Sequence, residues 1–304
     1  MKSGSHLEEV LESGAFAVTG ELGPPKGADP QVIIDKAGIL KGHVDAVNIT
    51  DNQTAIVRMS SMAAARLCIE QGLEPVMQMT CRDRNRLAMQ ADILGAAALG
   101  IRNLLCLTGD HQCFGNHPEA LGVFDLDSVT LIAMAKEMRD APAFQNGEEI
   151  KQTAPALYIG AAANPYADPF PYRALRLAKK VEAGIDFVQT QIVFNVEKFT
   201  EFMRQCRELG VTERCRIMAG VAPLRSAGMA KYMKNRVAGM DVPDAVVERM
   251  SAAGDPEDTG IDICVEVINQ VKEVEGVAGV HIMAVEWEAA VPEIVKRAGL
   301  ERGQ

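Results

Sequence analysis

The sequence predicts an α/β fold, a closed (β/α)8 barrel forming a single domain over 1–304 with a short helix at its N-terminus. Three observations lead there. Eight short apolar runs recur along the chain, amphipathic stretches of helical spacing separate them, and no Gly-rich dinucleotide fingerprint accompanies any of them. A doubly wound open sheet also alternates strand and helix, but eight repeats over 304 residues without that fingerprint favour closure.

The elements follow in order. "MKSGSHLEEVLESG" (1–14) has acids where a secretion signal needs an apolar stretch, and reads as a short surface helix. "FAVTGEL" (16–22) is the first strand; it ends on Glu21 and stops in Gly23, Pro24 and Pro25, because proline lacks the N–H that a sheet ladder needs. "AVNITD" (46–51), "PVMQMTC" (75–81) and "NLLCLTG" (103–109) are the next three strands, and "ALYIGAAA" (156–163), "FVQTQIVF" (187–194), "RIMAGVA" (216–222) and "GVHIMAVEW" (279–287) the last four. Their near-continuous apolar character suits strands buried on both faces, as in a parallel sheet.

Helical spacing marks "DPQVIIDKAGILKG", "TAIVRMSSMAAARLCIEQG", "RNRLAMQADILGAAALG", "SVTLIAMAKEMRD", "YRALRLAKKVEAG" and "VEKFTEFMRQCRELG" between them. Gly72, Gly100, Gly184 and Gly210 stand just past helix ends, where the left-handed backbone costs glycine least. The regularity breaks twice. A long loop fills 111–126, and two helical segments, "PDAVVERMSAA" and "TGIDICVEVINQVKEVE", lie within 239–275.

Composition narrows the function classes. The chain is 48% hydrophobic and 24% charged, with no apolar run near the ~20 residues of a membrane span. A net charge of -10 without a basic run argues against a nucleic acid partner. The 7 cysteines form no CxxC pair and are odd in number, which fits reduced thiols and a cytoplasmic address. Cys81 and Cys113 lie near strand ends, where packing is the expected role of each.

In a barrel of this type function gathers at the C-terminal face, so the strand ends supply the candidates. These are Glu21, then Thr50, Asp51 and Asn52, then Gln78 and Thr80, then Thr108 and Asp110, then Asn164, Gln191, and Glu286 with Trp287. No strand-end lysine is present for a Schiff-base aldolase. His111 and His117 share only a loop and His281 lies inside the eighth strand, so metal chemistry is disfavoured and His281 reads as a barrel-interior histidine. What remains is two separated acids, Glu21 and Asp110, among neutral hydrogen-bonding groups, with Gly109 allowing close approach; such a floor suits a flat, polar heterocycle.

Six stretches, "GELGPPKG", "VNITDN", "MTCRDRN", "LTGD", "LAKKVEAGIDFVQTQIVFN" and "IMAGVAPL", together resemble the methylenetetrahydrofolate reductase family of flavin-dependent barrels. The resemblance implies reduction of 5,10-methylenetetrahydrofolate to 5-methyltetrahydrofolate, or the reverse, in one-carbon metabolism. It implies Glu21 as general acid, Asp110 beside flavin and folate, Thr50 near the flavin ring, Gln191 on folate and Lys180 on a cofactor phosphate. Asp51, Gln78, Thr80, Thr108, Gly109 and Asn164 fall at its cofactor positions, and Trp287 at a substrate position. Hydride reaches the one-carbon unit only after the five-membered ring opens, and the departing N10 needs a proton, which explains an acid at position 21.

Departures from the pattern matter too. Gln78, Thr108 and Asn164 stand where the family often has His, Arg and Tyr, so FAD is the family default and FMN the alternative. Ala227 or Gly228 replaces an aromatic of NADH-using members, and Trp287 an arginine. The expectation is therefore NADH as a weak direct donor, electrons arriving through a partner subunit with iron–sulfur or flavin centres, and a homo-oligomer as an open alternative. Rival readings are a non-catalytic folate- or flavin-binding barrel subunit of a redox complex and a pterin-dependent methyltransferase barrel.

Overall fold

The computed structural model describes residues 1–301. Its first half runs α1 (His6–Glu12), β1 (Ala17–Leu22), α2 (Gln31–Leu40), β2 (Ala46–Ile49), α3 (Ser61–Glu70), β3 (Pro75–Thr80), α4 (Arg86–Ala98), β4 (Asn103–Leu107) and α5 (Ser128–Asp140). The second half runs β5 (Tyr158–Ala163), α6 (Tyr172–Ala183), β6 (Phe187–Ile192), α7 (Val196–Glu208), α8 (Val211–Arg214), β7 (Arg216–Val221), α9 (Ala227–Arg236), α10 (Asp244–Ser251), α11 (Pro256–Lys272), β8 (Val277–Ile282) and α12 (Val291–Arg297). The strands pair in chain order, all parallel, and β8 returns to β1 to close an 8-stranded barrel.

Alternation along each strand separates two cores. Outward residues such as Val18, Val47, Met77, Leu104, Ile159, Val188 and Ile217 pack under the helix ring in the main core. Inward residues are layered. Ala17, Ala46, Val76, Leu105, Tyr158, Phe187 and Met218 fill the lower barrel, with the Tyr158 and Phe187 rings stacked 5.2 Å apart.

One step toward the C-terminal ends, the inward positions turn polar: Thr19, Asn48, Gln189 and His281 are all buried. Here α1 corrects the surface-helix expectation: its Leu7, Val10 and Leu11 seat against the lower apolar layer and stopper the barrel's N-terminal end. Its acids, which set its polar reading, are engaged: Glu8 accepts from the backbone N–H of Ser3 and Gly4 at 2.8 Å each, and Glu12 from Tyr158 Oη and Arg216 Nη2 at 3.1 Å each.

The predicted strands all form, most with ends one or two residues from the expected ones, and the largest shift is at β8. β8 ends at Ile282 rather than running to 287, because the chain turns away through Glu286 at φ +52° into a short 3-10 turn, Glu288–Ala290. The two segments within 239–275 become α10 and α11; α9 and α10 enclose a small core of their own with Ile192, Phe194 and Leu224 beside the C-terminal ends of β6 and β7. No helix is long and apolar enough to cross a membrane among the described residues.

Candidate active site

Strand register builds the floor of the site. β1 sets Thr19 beside His281 of β8 and Glu21 beside Asn48 of β2. Across the barrel, Gln189 Nε2 donates to Thr19 Oγ1 at 3.1 Å and to Asn48 Oδ1 at 3.0 Å, and Thr19 Oγ1 lies 3.0 Å from His281 Nδ1. Each side-chain amide and hydroxyl of this buried layer thus has a partner, as burial of polar groups demands. Above it, Glu21 Oε2 stands 3.9 Å from His281 Nε2, with the two side chains 11% and 4% exposed. Thr19 Oγ1 also lies 3.4 Å from the Val280 carbonyl, so its hydroxyl faces two acceptors, that carbonyl and Nδ1.

A cavity of about 300 Å3 opens over this floor. Gln78, Thr190 and Gln191 supply polar walls, and Leu105, Leu107 and Met283 apolar ones. Gln191 shares the inward face of Gln189, two residues earlier, and beside it β6 and β7 slip register between Gln189 and Ile192. Thr190 Oγ1 accepts from Gly220 N at 2.9 Å across the irregularity, and a Cβ on Gly220 would stand 2.2 Å from the Thr190 carbonyl oxygen. Glycine is therefore required there.

On its far side the cavity runs out between β5 and α6 to Asn164, Arg173, Arg176 and Lys180. Lys180 is 8% exposed, and its Nζ donates to Ala162 O at 2.6 Å. Burial, with the Arg176 charge adding to it, brings its ammonium pKa down to about 8. Arg176 is at the exposed rim and makes no hydrogen bond or ion pair among the described residues; Asp127 acts on it only through the field. This end of the pocket is positive and short of anions.

Glu21, Gln78, Asn164, Lys180 and Gln191 are thus brought together, and the other sequence candidates lie outside that lining. Asp51, 3% exposed, accepts from Thr80 N and Oγ1 at 2.9 Å each and from Arg84 at 2.7 Å, an arrangement that braces the ends of β2 and β3. Thr108 Oγ1 accepts from Ser128 N at 3.0 Å at the start of α5. Gly109, at φ +93°, leads to an exposed Asp110 whose carbonyl accepts from Arg82. Thr50 is buried with its hydroxyl unpartnered. Trp287, carried off by the early end of β8, lies under the Arg225 guanidinium at 5.6 Å.

The residues that sequence reasoning passed over are Asn48, Gln189, Arg173 and Arg176, together with the site-facing part of His281. The first two sit a step below the strand ends, and a period-2 reading from Glu21 and Gln191 downward would have found them. Among the described residues no cluster of three or more His, Cys, Asp or Glu is placed to hold a metal ion. Burial lifts the Cys81 thiol to about 12, with Asp127 adding to the effect, so that sulfur is inert packing.

A closed parallel barrel with a pocket at its C-terminal face, floored by Glu21 and His281 and cationic at one end, defines an α/β barrel of the kind whose function gathers at that face. Residues 6–299 match the family model described as methylenetetrahydrofolate reductase, and the chain belongs to that family. It is 25% identical to a probable methylenetetrahydrofolate reductase (NADPH) of Caenorhabditis elegans over 80% of this chain and 35% of that protein. It is 28% identical to methylenetetrahydrofolate reductase 2 of Schizosaccharomyces pombe over 74% of this chain and 35% of the relative.

The match to 5,10-methylenetetrahydrofolate reductase of Salmonella typhimurium is 26% identical over 74% of this chain and 70% of that one. The chain therefore spans about a third of the first two relatives and more of the bacterial protein. In fold it is similar to an uncharacterized protein from Clostridium thermocellum that binds two copies of 5-methyl-5,6,7,8-tetrahydrofolic acid, with a TM-score of 0.68, 14% identity, and 97% and 100% of the two chains covered. Tryptophan synthase from M. tuberculosis is more distant, with a TM-score of 0.51, 15% identity, and 98% and 99% covered.

Proposed function

We propose that this protein interconverts 5,10-methylenetetrahydrofolate and 5-methyltetrahydrofolate with the help of a bound flavin. The observation that carries the reading is Glu21, a carboxyl 11% exposed on the pocket floor and 3.9 Å from a histidine that Thr19 fixes from its other side. Family membership supports the substrate class, as does the folate named for the Clostridium thermocellum protein.

The residues present fit a flavin. Among the described residues Arg176 lacks a partner at the pocket's outer end, Lys180 is buried beside it, and Thr50 Oγ1 is buried without a hydrogen bond at the same barrel face. When bound, reduced flavin supplies the hydride. Glu21 holds the proton that N10 takes as the five-membered ring opens, and recovers it in the reverse direction. His281 stands beside that carboxyl and orients it, while the Thr19–Gln189–Asn48 layer holds the imidazole. Gln78 and Gln191 offer paired donors and acceptors to the amide edges of flat rings, and the Leu105 and Leu107 wall keeps water from the reacting face.

Glu21→Gln keeps shape and removes the acid. The variant should bind flavin as before and lose about 10²- to 10⁴-fold in methylene reduction, read as loss of flavin bleaching by methyltetrahydrofolate. Unchanged turnover refutes the assignment, and a protein that binds folate with no flavin bleaching is a binding module instead. Asp110 at the β4 exit is assigned to folate and flavin on the same reading. Electrons are assigned chiefly to a partner subunit, because small residues, Ala227 and Gly228, open α9 where a stacking aromatic is expected for NADH. Rapid NADH-driven reduction by the isolated chain would remove the reason for a partner.

A further inference from the structure

We infer that Glu286 resupplies Glu21 with protons through a second, smaller cavity that Glu21 shares with the loops after β1, β2 and β8. The inference rests on the reading of Glu21 as the acid and concerns how that acid is restored after each turnover.

Once N10 has taken its proton, Glu21 is left as a carboxylate, and one proton from solvent must reach it before the next ring opens. With substrate and flavin over it, the cavity of about 300 Å3 gives solvent no path. Beneath it, Thr19, Asn48, Gln189 and His281 form a buried layer hydrogen-bonded to itself. A third direction is open. Glu21 also lines a cavity of about 40 Å3, together with Gly23, Lys36, Arg58, Glu286 and Glu288. One water needs roughly 10–15 Å3, so this space takes about two or three in file.

The charged groups on this cavity differ in what engages them. Lys36 Nζ, on α2, is bound to Glu288 Oε1 at 2.5 Å, and that carboxylate is in a residue only 6% exposed, so the two charges cancel in place. Arg58, in the loop after β2, gives Nη1 to Pro24 O at 3.0 Å; its Nε is buried with no hydrogen-bond partner among the described residues, a donor that a water in the cavity would satisfy. Glu286 is exposed and makes no hydrogen bond or ion pair among the described residues. Its backbone stands at φ +52°, a conformation that costs a non-glycine residue and persists only where the surrounding structure imposes it. On its other side Glu21 faces His281 of β8 at 3.9 Å, and Arg173, Arg176 and Lys180 lie at the far end of the larger cavity. Glu286 is thus the carboxylate that meets both solvent and the file of waters. The step moves one proton and no electrons: a buffer acid or hydronium protonates Glu286, the proton passes along the waters to the Glu21 carboxylate, and Glu286 is left ionised as before.

The test is multiple-turnover reduction of methylenetetrahydrofolate by the full-length, flavin-loaded protein with a reduced viologen dye as electron donor. It is followed from about pH 7 to about pH 9 in dilute buffer and again with added 1,2-dimethylimidazole, a small acid that carries protons in this range, beside a single-turnover oxidation of the reduced flavin by the same substrate. Glu286→Gln should leave the single turnover within about twofold and lose about 10-fold in multiple turnover toward the alkaline end, where hydronium is scarce. Dimethylimidazole should restore most of that loss, and Glu286→Asp, which keeps an exchangeable proton, should retain most of the parent's rate. A Glu286→Gln profile that overlays the parent's overturns the inference. So does a loss that appears equally in the single turnover or that the added buffer does not restore, either of which marks the turn as structural; these outcomes leave Glu21 as the acid. A parent protein that reduces no methylenetetrahydrofolate overturns both.

Discussion

At the residue scale Lys180 shows how burial converts an ordinary side chain into a site group. Its ammonium is desolvated and lies near Arg176, so the free protein releases that proton near pH 8 rather than above 10. The folded chain without ligand then binds fewer protons than the unfolded chain between about pH 8 and 10.4, and its stability should rise across that window. An anion placed against Nζ reverses the balance by favouring the charged amine. Affinity for a phosphate-bearing flavin should therefore fall as pH climbs past about 8, while riboflavin affinity stays level; Lys180→Met should flatten the FMN profile. A profile unchanged by that substitution would separate Lys180 from the phosphate. Legibility at this scale followed position. Glu21, Gln78, Asn164 and Gln191 were readable because they end strands, whereas Arg173 and Arg176 depend on which face of α6 turns inward, and apolar spacing places that face only to within a residue.

At the element scale the irregularity between β6 and β7 lies beside Gln191, a pocket residue, and it depends on Gly220. Any Cβ there meets the Thr190 carbonyl, which is backbone and cannot rotate aside. Gly220→Ala should cost about 1–3 kcal/mol, the usual penalty of overpacking, seen as a lower urea midpoint. It should also weaken folate binding more than flavin binding, because Gln191 moves while α6 does not. A variant of unchanged midpoint would show that the strands absorb the methyl group. Register of this kind was not legible in "FVQTQIVF", whose run of apolar and small polar residues fits either alignment. The end of β8 failed for a related reason: "HIMAVEW" keeps its apolar character past the point where the backbone turns left-handed at Glu286.

At the scale of the whole molecule the barrel divides its two ends between stability and chemistry. All eight strands were legible because parallel strands covered on both faces read as unbroken apolar runs. What closes the N-terminal end was not, since seven residues with several acids look like surface until the lower apolar layer is present to receive them. Leu7 is 0% exposed and meets the layer that contains Tyr158 and Phe187, whereas Glu21 and His281 stand beyond the buried polar layer at the other end. Leu7→Ala leaves a cavity under the barrel and should cost about 2–5 kcal/mol of unfolding free energy. Because the Thr19–Gln189–Asn48–His281 layer lies between, flavin affinity and turnover measured well below the melting temperature should stay near the parent's. Loss of turnover in proportion to stability would instead mean that the two layers move as one body, and that the acid's placement depends on the stopper beneath it.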